Sequence, residues 1–137
     1  MNQNRKVKYK LLILCLLNGL GFVGLSQPKK AVIQASNEEF ANLIMEYSNE
    51  IIIDVRDTAF YNNQIIQGAI LVPTQAQLNQ LVDSLDLDTP LLVYCSVGIR
   101  SKKACEVLVK LGFKTIINLE KGLDKWREKQ FPVETIP

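Results

Sequence analysis

A cysteine followed five positions later by an arginine is the one arrangement in this chain that could carry covalent chemistry. Cys95-Ser96-Val97-Gly98-Ile99-Arg100-Ser101 joins an apolar run, Leu91-Leu92-Val93-Tyr94, to a stretch of helical character. A thiol at such a strand-loop-helix turn sits where loop N–H groups and a helix N-terminus can converge on its sulfur. Together with the positive charge of Arg100, they favour thiolate over thiol. Gly98 lets the loop curl tightly and leaves no side chain in the path of a ligand. The alternative is a buried structural cysteine, the commoner fate of a free thiol.

Histidine is absent from all 137 residues. That removes every Ser-His-Asp triad, Cys-His pair and histidine-metal site at once. A nucleophile here must be activated by backbone and fixed charge. No metal or organic cofactor is implied. With 47% hydrophobic and 22% charged residues and a net charge of +2, the composition is that of an ordinary globular chain, neither a disordered tail nor a basic nucleic-acid binder.

The loop needs a scaffold, and the pattern supplies one. Short apolar runs rich in β-branched residues at 31–34, 51–55, 69–72, 91–94 and 115–119 are expected as strands, most of them buried on both faces. Between them, 37–47 reads as a helix with Ser36 or Asn37 as N-cap. Residues 75–84 begin a face of Leu78, Leu81, Val82 and Leu85, 100–111 present Ala104, Val107, Leu108 and Leu111, and 122–129 present Leu123 and Trp126. Alternating strands and helices predict a single α/β domain with a mainly parallel sheet of about five strands and helices on both faces. Ligands of such sheets bind at the carboxyl ends of the strands. Asp54 and Arg56, at one such end, are expected as a partly buried ion pair bracing the cysteine loop. Lys102 and Lys103 are expected on a solvated helix face, and Trp126 in the core.

The amino terminus has a different composition. Arg5, Lys6, Lys8 and Lys10 precede an apolar stretch from Leu11 to Leu25, with Gly24 and Ser26 offering a cleavage point before Gln27. Residues 1–26 are expected to be a signal peptide and 27–137 the exported domain, periplasmic or extracellular. An uncleaved membrane tether is the alternative, although the apolar stretch is short of the roughly 20 residues a span needs. A lipoprotein signal at Cys15 is a further option, but a leucine precedes that cysteine. Cleavage would take away those four basic residues and leave 12 basic and 14 acidic groups. No stable membrane insertion and no nucleic-acid partner are expected of the remainder. Cys105, in the helix after the loop, is expected as a buried small hydrophobe, with a Cys95–Cys105 disulfide as the alternative.

These residues resemble the rhodanese-like sulfurtransferases, whose active loop has the form C-x-x-G-x-R at the end of a central strand. Ile53-Asp54-Val55-Arg56 is similar to the family's D-V-R strand end, and Gly68-Ala69-Ile70 with Pro73 to its G-A-I-x-x-P segment. Leu111-Gly112-Phe113, Asn118-Leu119-Glu120, Gly122 with Trp126, and Pro132-Val133 resemble its carboxyl-terminal pattern. The resemblance implies that Cys95 takes a sulfane sulfur as a persulfide from a small sulfur-containing anion such as thiosulfate, or from a persulfide donor, and passes it to cyanide or a thiol. It implies that Ser96, Val97, Gly98, Ile99, Arg100 and Ser101 form the binding loop, with Arg100 orienting an anionic donor or bracing the loop. The chain departs from the pattern at Phe60 and Gln64-Ile65-Ile66-Gln67, in a segment where a Gly-His-Ile-Pro run is usual. It also has Ser96 where many members carry a basic residue, implying a weaker site for anions, and Lys121 where a second glycine is common. A non-catalytic binding or sulfur-sensing module on the same fold is the rival reading. A phosphatase is disfavoured, since its loop places five residues between cysteine and arginine and here four intervene.

Overall fold

The computed structural model describes residues 32–60 and 62–137. The expected signal peptide lies outside the described residues. The strands are β1 (Ile33–Ala35), β2 (Ile51–Asp54), β3 (Gln64–Ile65), β4 (Ile70–Leu71), β5 (Leu91–Tyr94), β6 (Ile116–Leu119) and β7 (Glu134–Thr135). The helices are α1 (Asn37–Glu46), α2 (Gln75–Asp83), α3 (Ile99–Leu111) and α4 (Gly122–Glu128). Five strands form one parallel sheet in the order β1-β6-β5-β2-β4.

Alternation along the strands divides the core between two layers. Ile53, Leu91, Val93 and Ile116 face α2 and α3, meeting Leu78, Val82, Ala104, Cys105 and Leu108. Ile52, Leu92, Tyr94, Ile117 and Leu119 face α1 and α4, meeting Phe40, Leu123 and Trp126. All four residues of β5, a continuous apolar run, are buried, and so are all four of β6, where Asn118 donates to Gln34 Oε1 at 2.7 Å. β1 and β4 are short edge strands, and Ile33 and Ile70 are exposed. Trp126 is core: its ring meets Phe40 edge-on and its indole N–H donates to the Pro132 carbonyl.

Local chemistry sets the helix starts. Ser36 caps α1 in a reciprocal capping box with Glu39, and Thr74 caps α2 by accepting the Gln77 N–H. The buried stripe of α3 runs through Ser101, Ala104, Cys105 and Leu108. It does not include Val107 and Leu111 as the spacing predicts: Val107 is half-buried and Leu111 is exposed, because the helix turns Ser101 and Cys105 inward instead. Sequence periodicity also misses the antiparallel ribbon of β3 and β7, and a 3-10 turn at Thr58–Phe60. Two-residue strands carry no readable period. Among the described residues, no helix is long and apolar enough to cross a membrane.

Candidate active site

Cys95 follows the last residue of β5, the middle strand of the sheet, and is 3% exposed. Its Sγ accepts the N–H of Gly98 at 3.2 Å and that of Ser101 at 3.4 Å, and lies 3.4 Å from the Ser101 hydroxyl. Ser101 is itself fully buried. The loop therefore closes around one sulfur atom at the start of a 13-residue helix. Gly98, the N-cap of α3, has no side chain to cap it, and the sulfur occupies the place of the missing cap acceptor.

A second helix start fixes the other side of the loop. The N–H of Leu123 donates to the Cys95 carbonyl at 2.8 Å and that of Asp124 to the Ser96 carbonyl at 3.0 Å. These bonds hold both carbonyls toward α4, so that N–H groups are left to face the sulfur. Two glycines make the contact possible. A Cβ on Gly98, at φ +89°, would collide with the Glu120 carbonyl, and one on Gly122, at φ +67°, with the carbonyls of Ser96 and Cys95. Lys121 has φ −100°, so a lysine fits where the family often has glycine.

Arg100 makes its hydrogen bonds away from the sulfur. Its half-exposed guanidinium donates to Asp57 Oδ2 at 3.4 Å and to the Pro73 carbonyl. It thereby ties the start of α3 to the segments after β2 and β4, a bracing geometry. The Ala59 N–H, and then Arg100, hold the Asp57 carboxyl below its ordinary pKa.

Asp54 and Arg56 are more deeply buried than the expected partly buried pair, at 0% and 3% exposure. The Arg56 guanidinium grips both carboxylate oxygens, with the shortest contact at 2.6 Å, and also donates to Asn62 Oδ1 and the Gln64 carbonyl. Through Asn62 and Gln64 the pair organises the chain entering β3. Through the β2–β5 pairing it lies beside Tyr94, the residue before Cys95. The Tyr94 hydroxyl accepts the Ile66 N–H at 3.1 Å, and Tyr94 stands opposite Asp54 across β5 and β2. Burial, then the Asp54 charge, push its phenol above the ordinary range.

Cys95 lines an open depression of about 570 Å³, together with Ser96, Val97, Ile99, Asp57 and Phe60. Arg56 and Arg100 also border it, as do Lys103 and Asp124. Of the residues named from sequence, Cys95, Gly98 and Ser101 meet at the sulfur, and Ser96, Val97, Ile99, Arg100 and Arg56 line the mouth. Asp54 lies behind it, holding Arg56. The sequence gives no hint that Asp57, the Pro73 carbonyl or the N–H groups of Leu123 and Asp124 support the loop. Gly122 alone carried a signal, as part of the carboxyl-terminal pattern of the family resemblance. Cys105 is a free, buried thiol, as is Cys95; no disulfide joins them. Burial first, and the neighbouring Cys95 second, push the Cys105 thiol up to about 12. Among the described residues, no group of three acidic, cysteine or histidine side chains could hold a metal ion.

The sequence profile of the rhodanese-like domain matches residues 36–129, which contain β2, β4, β5 and β6 of the parallel sheet and the cysteine loop. The chain belongs to the rhodanese-like domain family. A thiosulfate sulfurtransferase GlpE of Shewanella oneidensis is 35% identical over 77 residues, covering 56% of this chain and 75% of the relative. One from Glaesserella parasuis is 26% identical over 91 residues, covering 66% and 83%. In structure, the rhodanese-like domain of the Anabaena sp. Alr3790 protein superposes with a TM-score of 0.65 at 26% identity, over 77% of this chain and 81% of that one. These likenesses support a sulfurtransferase of the rhodanese family.

Proposed function

We propose that the protein transfers sulfane sulfur through a persulfide on Cys95. The observation that carries this reading is the cradle of the Gly98 and Ser101 N–H groups around Sγ at the N-terminus of α3. The Cys95 thiolate attacks the outer sulfur of a donor such as thiosulfate, the donor's S–S bond breaks, and sulfite leaves. The new Cys95–S–S⁻ carries its charge on the terminal sulfur, which the loop N–H groups and the Ser101 hydroxyl can stabilise. An acceptor, cyanide or a thiolate, then attacks that terminal sulfur and restores the Cys95 thiolate. No step requires an imidazole base.

The names of the relatives support thiosulfate as donor. Turnover of thiosulfate and cyanide to thiocyanate and sulfite tests the reading, with Cys95→Ser as control. Turnover confined to the cysteine form is expected; equal rates in both would overturn it and favour a non-catalytic module. The reading includes export, which the basic start and apolar run of residues 1–26 support.

A further inference from the structure

The mouth over Cys95 offers more carbon than unpaired charge. Phe60, Val97 and Ile99, at 72%, 54% and 68% exposure, stand around a nucleophile that is itself buried. The arginines there are engaged. Arg56 is closed on Asp54, and Arg100 on Asp57 and the Pro73 carbonyl. Lys103 shares the rim with Asp124, whose carboxylate is paired with Arg127 at 3.1 Å. Of the three cations bordering this depression, both arginines are thus already paired with carboxylates.

Three large exposed apolar side chains around one nucleophile suit a substrate that covers them. We infer that Phe60, Val97 and Ile99 form an apolar collar that selects, as sulfur acceptor, a thiol carrying apolar carbon beside its sulfur. The inference rests on the persulfide reading. The acceptor thiolate R–S⁻ attacks the terminal sulfur of the Cys95 persulfide, the bond between that sulfur and Sγ breaks, and R–S–S⁻ leaves with the Cys95 thiolate restored. No oxidant or reductant is consumed. The collar contributes by taking the R group out of water against Phe60 and Ile99, an effect on the acceptor half-reaction alone.

The experiment uses the full chain loaded from thiosulfate, with benzyl mercaptan and 2-mercaptoethanesulfonate compared per thiolate. The expected kcat/KM ratio favours benzyl mercaptan by roughly tenfold or more, in the range of apolar pocket discrimination. Phe60→Ser and Ile99→Ser, made separately, are each expected to lower that ratio severalfold, and Phe60→Leu to retain most of it. A ratio near one in the unaltered chain, or a ratio insensitive to both serine variants, overturns the collar while leaving the persulfide reading intact. If Cys95 takes up no sulfur from thiosulfate, the persulfide reading fails and the collar with it.

Discussion

At the scale of single residues, Ser101 does more than its place in the loop motif suggests. Its N–H and hydroxyl both lie 3.4 Å from the Cys95 sulfur, and it is fully buried. A hydrogen bond to a charged group contributes about 1.5–3 kcal/mol. Ser101→Ala should therefore lower kcat for thiosulfate turnover roughly 10- to 100-fold, and Ser101→Thr should recover part of the loss. The two described cysteines should also separate in reactivity. With its thiol pushed up to about 12, Cys105 stays protonated at pH 8 and becomes thiolate only as the pH rises toward that value. Peptide mass spectrometry after native iodoacetamide treatment at pH 8 should find Cys105 unmodified, with labelling appearing once the protein is denatured. Native labelling of Cys105 at pH 8 would contradict the burial that raises it.

At the scale of elements, the cysteine loop is held between the starts of α3 and α4. Gly98→Ala and Gly122→Ala each force a side chain into a left-handed backbone and onto a carbonyl of the facing segment. The backbone strain alone costs about 1–3 kcal/mol, and about 4–8 °C of Tm per kcal/mol is expected for a domain near this size. Thermal unfolding should show both variants well below the parent, while Gly68→Ala, with no atom near its Cβ, should bear only the backbone part. Equal melting of all three variants would contradict the interlock. Much of this layout was legible in the sequence. The strand at Leu91–Tyr94 was readable because a buried central strand is apolar throughout, and α1 because Ser36 is a good N-cap residue. The interlock of α4 with the loop was not. It depends on the N–H groups of Leu123 and Asp124, backbone donors that no side-chain pattern encodes. Arg100 was legible as a loop residue, but its direction was not, since its partners Asp57 and the Pro73 carbonyl are remote in sequence.

At the scale of the whole molecule, two layers of helices close over the sheet and leave its carboxyl edge to carry the chemistry. The amino-terminal segment adds a separate question of place. Amino-terminal sequencing of the native protein should return Gln27 as the first residue; a native chain that retains residues 1–26 would contradict export by cleavage. The sheet, its flanking helices and both glycine contacts converge on the environment of a single sulfur atom. Intact-mass measurement of the chain after incubation with thiosulfate and removal of excess donor tests that convergence most directly. The persulfide account predicts a gain of one sulfur atom, lost on adding cyanide and absent in Cys95→Ser; no gain in the unaltered chain, or an equal gain in Cys95→Ser, would contradict it.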